Sequence, residues 1–143
     1  MEPIERCFVV NSRQLAESVA ASLGKPLTST LQHAKNLREA KGAKTGAPLV
    51  TAGGRGRNAP AMSRADAATL ICAILGSGAV QDSVNTVEWM RELKAEFHGY
   101  RFKGHYRHSS PRFDVTIGVK PEHDVIEALE CVLQFSTARM ITG

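Results

Sequence analysis

Apolar side chains recur at three- and four-residue spacing through most of the chain and alternate in one stretch near its end. Leu15, Val19 and Leu23, with Ala16 and Ala20 beside them, predict a first helix. Ser12 is its expected N-cap, Gly24 its stop, and Pro26 forbids continuation. Leu31, Ala34 and Leu37 give a second helix, capped by Thr28, with Leu27 placed to staple against it and Gly42 as its end. A third opens at Ser63, with Asp66 in the capping-box position, and turns Ala67, Leu70, Ile71, Ile74 and Leu75 inward. It is the most apolar so far and the expected centre of the core. Gly76-Ser77-Gly78 breaks it. A fourth helix is expected from Ala79 to Glu96, with Val80, Val84, Val87, Leu93 and either Met90 or Trp89 inward; packing is the expected role of Trp89. Pro121 starts a last helix, with Val125, Ile126, Leu129, Val132, Leu133 and Met140 inward and the acids Glu122 and Asp124 in its first turn. The run Ile4–Val10 reads equally as a strand or as the end of a helix.

The alternating stretch is Phe113–Val119, in which Phe113, Val115, Ile117 and Val119 share a face. Residues 100–106 are its expected antiparallel partner, with 108–111 as the turn. Leu49-Val50-Thr51, inside a Gly- and Pro-rich segment at 42–62, reads as a strand of a wing. The expected fold class is therefore α+β, mostly α. It comprises a winged helix-turn-helix-like N-terminal unit (1–61), then a second region (62–143) with a helical middle and a C-terminal β-hairpin plus helix.

With 143 residues, 43% hydrophobic and 22% charged, the chain has the composition of an ordinary globular protein with room for one core. No apolar run approaches the length a membrane helix needs. Met1–Arg6 lacks the basic and apolar regions of a signal peptide. Cys7, Cys72 and Cys131 are odd in number and far apart, which fits reduced thiols better than a disulfide framework. A cytoplasmic, nucleoid-associated protein is expected. The net charge of +4 is unevenly spread. Residues 35–57 hold six Lys/Arg against Glu39 alone, and 100–120 hold five against Asp114, while 63–99 and 121–143 are net acidic. Positive charge concentrated in two segments points to a polyanionic partner.

Two short helices joined by a glycine-containing turn make a helix-turn-helix pattern. Leu15-Ala16 early in the first, Leu23-Gly24 at its end and Asn36-Leu37-Arg38-Glu39-Ala40 closing the second resemble the positioning and recognition helices of bacterial winged-helix regulators. The resemblance covers about a third of the chain, and the segment after Gly42 is longer than a minimal wing. It implies that helix 28–40 enters the major groove of double-stranded DNA. Its candidate contacts are Thr28, Ser29, Thr30, Gln32, His33, Lys35, Asn36 and Arg38. Arg55 and Arg57, set among Gly53, Gly54 and Gly56, would lie along the backbone or in the minor groove as the wing tip. The stretch from Gly53 to Ala68 also resembles prophage-linked proteobacterial proteins. Arg101 and Lys103, interleaved with Tyr100 and Phe102, are a second candidate nucleic-acid surface.

His98, His105 and His108 do not have the spacing of a structural zinc site, so no metal is expected. There is no nucleophile elbow, no phosphate-binding Gly-Lys-Ser/Thr loop and no paired carboxylates, so no enzyme and no cofactor is expected. The expected function is DNA binding by a transcriptional regulator. A homodimer is expected because two-fold operators mirror two-fold proteins. The alternative is a phage-type interaction module whose partner is a protein, inhibiting a host nucleic-acid-processing complex.

Overall fold

A computed structural model describes residues 10–43, 46–53, 59–93, 100–102, 105–107, 118–120 and 122–142, with backbone alone at 100–102, 105–107 and 135–142. The described residues form five α-helices: α1 (Ser12–Leu23), α2 (Leu27–Glu39), α3 (Arg64–Gly76), α4 (Ser83–Glu92) and α5 (Val125–Thr142). A short 3-10 turn, Val80–Asp82, leads into α4. Helix α3 lies at the centre and packs against each of the other four. Its Ala68, Leu70, Cys72, Ala73 and Ile74 are buried together with Val19 of α1, Ala34 and Leu37 of α2, Val87 of α4 and Ile126 of α5. Small residues on α3 let neighbours approach from several sides at once. Each fully buried Leu or Val in such a core contributes roughly 1.5–3 kcal/mol.

The expected α+β class is corrected to a mostly helical fold. Strand pairing among the described residues is limited to an isolated bridge, Lys41 with Pro48, and a three-residue antiparallel pair, β1 (Tyr100–Phe102) with β2 (His105–Arg107). No sheet forms a layer of the described fold. The expected hairpin joined 100–106 to 113–119; its turn at 108–111 and all of its return strand but the last two residues lie outside the described residues. Nor does 49–51 become a wing strand. Leu49 and Val50 are neighbours and both are 5% exposed. A one-faced strand would turn adjacent residues to opposite sides. Here they plug the helical core instead, and the backbone of Leu49 joins α2 to α4: its N–H donates to the Leu37 carbonyl at 3.1 Å, and its carbonyl accepts from Arg91 Nη2 at 3.4 Å.

Helix ends differ from expectation by small steps with local causes. Asn11, not Ser12, caps α1, its Oδ1 accepting from the Gln14 N–H at 2.9 Å while Gln14 Oε1 accepts from the Asn11 N–H at 3.0 Å. Thr28 lies inside α2 and does not cap it; Pro26 holds the cap position. Helix α4 starts at Ser83 rather than Ala79 and ends at Glu92. Helix α5 starts at Val125, after a reciprocal pair of bonds between Asp124 and Glu127. The α3 cap is as expected: Ser63 Oγ accepts from the Asp66 N–H at 3.1 Å, and Asp66 Oδ2 accepts from the Ser63 N–H at 2.8 Å.

Three residues expected inward on α3 and α4 or just beyond are exposed: Leu75 at 62%, Trp89 at 58% and Leu93 at 37%. On α4, adjacent positions are about 100° apart, so Met90 and Trp89 cannot both face the core. Met90 takes the inner place, against Gly76 at the end of α3. Val125 and Val132, also expected inward, are each 38% exposed, because the buried face of α5 runs through Ile126, Leu129 and Leu133.

Candidate nucleic-acid interface

Helix α2 divides the candidate reading residues between two faces. Its outer stripe carries Thr28, Gln32 and Lys35, all exposed, with Ser29 and Arg38 partly exposed beside them. The opposite face is committed to the fold. Thr30 is fully buried, its Oγ1 donating to the Pro26 carbonyl at 3.0 Å. Ser29 Oγ donates to the same carbonyl at 3.0 Å. His33 is 6% exposed, with its Nδ1 2.6 Å from Ser83 Oγ on α4. The Ser83 hydroxyl has one proton and spends it on the Val80 carbonyl, so His33 Nδ1–H is the donor to Ser83. Burial lowers the His33 pKa below the ordinary 6.5, so the ring is neutral at pH 7. Asn36, half-buried, donates from Nδ2 to the same Val80 carbonyl at 2.9 Å and accepts from Gln32 Nε2 at 3.0 Å.

Thr30 and His33 thus hold α2 in place and are not available to a base edge. Asn36 is tied to the turn before α4. The packing of α2 against α3 and α4, which periodicity alone does not specify, places these polar residues inside. The sequence showed only a polar helix, and polar residues at turns of three and four are as consistent with an inner hydrogen-bond network as with a reading face.

The outer stripe borders a groove of about 640 Å³ between α2 and the start of α1. Its walls include the cap residue Asn11, Ser12 and Arg13 from α1, Thr28, Leu31, Gln32, Lys35 and Arg38 from α2, and Ala59 from the returning end of the Gly/Arg segment. Three cations and no carboxylate are among the described lining residues. Arg13 makes an exposed ion pair with Glu17 at 3.0 Å. Among the described residues, neither Lys35 nor Arg38 has an ion-pair partner. Arg38 also forms part of the wall of a smaller cavity, about 40 Å³, between Ser12, Thr51, Gly53, Ala59, Pro60 and Met62. Sequence reading missed Asn11, Ser12 and Arg13 as members of this site. They belong to it because α1 packs on α2, and the only hint in the sequence is the short corner at 24–27 that brings the two helices together.

Arg55, Arg57 and Lys103 lie outside the described residues, as does the side chain of Arg101. The chain enters the segment carrying Arg55 and Arg57 at Gly53 and returns at Ala59, on the rim of the groove. Among the described residues there is no cluster of His, Cys, Asp or Glu able to hold a metal, and no helix is long and apolar enough to cross a membrane. No protein-family model, characterised protein or solved structure matches this chain.

Proposed function

We propose that this protein binds double-stranded DNA through the groove between α1 and α2 and acts as a transcriptional regulator. The observation that carries the reading is the lining of that groove: Arg13, Lys35 and Arg38 converge on it, with no acidic side chain among its described walls. Cations spaced along one concave face suit successive phosphates of a nucleic-acid backbone. The uncharged donors and acceptors on the same face, Thr28 and Gln32, are the types that read base edges. In this reading His33, Thr30 and Asn36 leave the set of base readers and become the framework that orients α2. Arg55 and Arg57 extend the phosphate contacts from the groove's rim, and Arg101 and Lys103 are a second basic patch. Two copies act together on a two-fold site.

The test is fluorescence anisotropy with a labelled random duplex across a salt series. Affinity should fall steeply as salt rises, and the log–log slope should shrink by about 0.9 for each phosphate contact removed. The double substitution Lys35→Ala with Arg38→Ala should therefore flatten the slope by about 2 and weaken binding to every duplex alike. Absence of duplex binding at low salt would sink the proposal. The exposed Trp89 and Leu75 favour a second reading, the phage-type module that docks on a host protein. That reading predicts no salt-dependent duplex binding and loss of partner binding on Trp89→Ala.

A further inference from the structure

We infer that Asp66 is a positioning residue for the groove. It fixes the wall formed by Thr51–Gly53 and Ala59–Met62 against Arg38, and it does so by closing both ends of that segment onto one buried carboxylate. This inference rests on the DNA-binding reading for its functional half and on geometry alone for the closure.

Asp66 is 5% exposed. Its Oδ1 accepts from the Thr51 N–H at 2.8 Å. Its Oδ2 accepts from Thr51 Oγ1 at 2.8 Å, from the Ser63 N–H at 2.8 Å and from Ser63 Oγ at 3.0 Å. A helix cap needs only the reciprocal pair of a capping box, the Ser63 N–H to Asp66 Oδ2 and the Asp66 N–H to Ser63 Oγ. The two from Thr51 reach fifteen residues back along the chain and serve no helix. Four donors converge on one carboxylate, and among the described residues it has no cationic partner. A buried charge is tolerated only when its lone pairs are satisfied this fully.

The closure continues outward from Asp66. The Met62 N–H donates to the Val10 carbonyl at 2.8 Å, which seats the returning strand of chain beside the start of α1. Gly53 faces Pro60, whose Cγ lies 3.6 Å from where a glycine Cβ would stand. Gly53 has φ +149°, a conformation other residues rarely adopt, so a side chain at this position would be strained. Thr51, Gly53, Ala59, Pro60 and Met62 then form the wall of the small cavity that Arg38 shares with the main groove. Loosening the Asp66 bonds releases that wall, and with it the confinement of Arg38 and the rim at Ala59.

Two readouts on the same variants test this. The first is amide hydrogen exchange at Thr51 and Ser63, whose N–H groups both donate to Asp66. The second is affinity for a random duplex, measured on folded protein well below its melting temperature. Thr51→Val keeps the shape and deletes the hydroxyl; Thr51→Ser keeps the hydroxyl; Asp66→Asn deletes acceptor capacity at Oδ2. Exchange at both amides should be slow in the natural protein and at least about tenfold faster in Thr51→Val, as expected for losing a bond to a charged group. Duplex affinity should fall about tenfold in Thr51→Val and Asp66→Asn and recover in Thr51→Ser. If Asp66→Asn fails to fold, the Thr51 pair carries the test. Fast exchange at both amides in the natural protein overturns the closure. Slow exchange with unchanged duplex affinity in Thr51→Val overturns the positioning role and leaves Asp66 as a structural clasp. A natural protein that binds no duplex overturns the DNA-binding reading and the positioning role with it, while the exchange result still decides the closure.

Discussion

His33 and Asn36 decide how α2 is held, and both act through the Val80 carbonyl. Ser83 Oγ and Asn36 Nδ2 donate to it, and His33 donates to Ser83, so five groups including Gln32 form one chain of hydrogen bonds from the groove to α4. Three outcomes follow at this scale. Because burial lowers the His33 pKa below its unfolded 6.5, the unfolded chain binds more protons than the folded one between those two values. Stability is then complete above pH 6.5 and declines as pH falls from 6.5 toward the folded pKa. Urea midpoints taken at neutral pH and at pH about 5 should show that decline, and His33→Gln should flatten it. Asn36→Ala leaves the Val80 carbonyl short of one donor and should cost about 1–2 kcal/mol in urea unfolding. Gln32→Ala should cost little stability and instead change the base preference of bound sequences selected from a random pool. An Asn36→Ala protein of undiminished stability would show that the Val80 bond is not formed in solution.

At the scale of elements, α3 is the part on which the others converge, and α4 comes close to its end at Gly76. A Cβ on Gly76 would stand 2.7 Å from Thr86 Cγ2 and would also meet the terminal methyl of Met90 on α4. The methionine end can move, but Thr86 is β-branched and stiff. Alanine is the better helix former by up to about 1 kcal/mol, whereas overpacking costs about 1–3 kcal/mol. Gly76→Ala should therefore destabilise by about 1 kcal/mol or more, read as a lower urea midpoint with an unchanged slope. The sequence showed Gly76 as a helix breaker, and α3 does end there. What it did not show is that α4 crosses close enough to require a glycine, since close approach is a property of two elements together. The same holds for the groove. Lys35 and Arg38 were legible as basic positions on α2, but Arg13 became part of the site only through the packing of α1 on α2.

For the whole molecule, the question is what covers the exposed apolar residues. Trp89, Leu75 and Leu93 are exposed on the described surface of one chain, within 63–96, which together with 121–140 is one of the two apolar helical stretches expected to offer a dimer interface. If two copies associate there, Trp89 emission should shift to shorter wavelength as protein concentration rises, Leu75→Ser should abolish that shift, and Trp89→Ala should return the protein to monomer by sedimentation. An emission maximum that stays solvent-like at all concentrations removes this face from the dimer proposal.

The sequence by itself determined the helices, because periodicity and capping are local. Ser63 with Asp66 set the start of α3, Gly24 with Pro26 the end of α1, and the run from Ala67 to Ile74 the centre of the core. It determined the uneven charge for the same reason. It misread the class of the fold at Leu49-Val50, because a short apolar run satisfies a strand pattern whether or not a partner strand exists. Only the tertiary structure decided which face of each helix is inside. That choice buried His33 and Thr30, turned Trp89 and Leu75 outward, and joined Thr51 to Asp66 across fifteen residues of chain. Side-chain spacing fixes which residues share a face, but only contact between elements fixes where the face points.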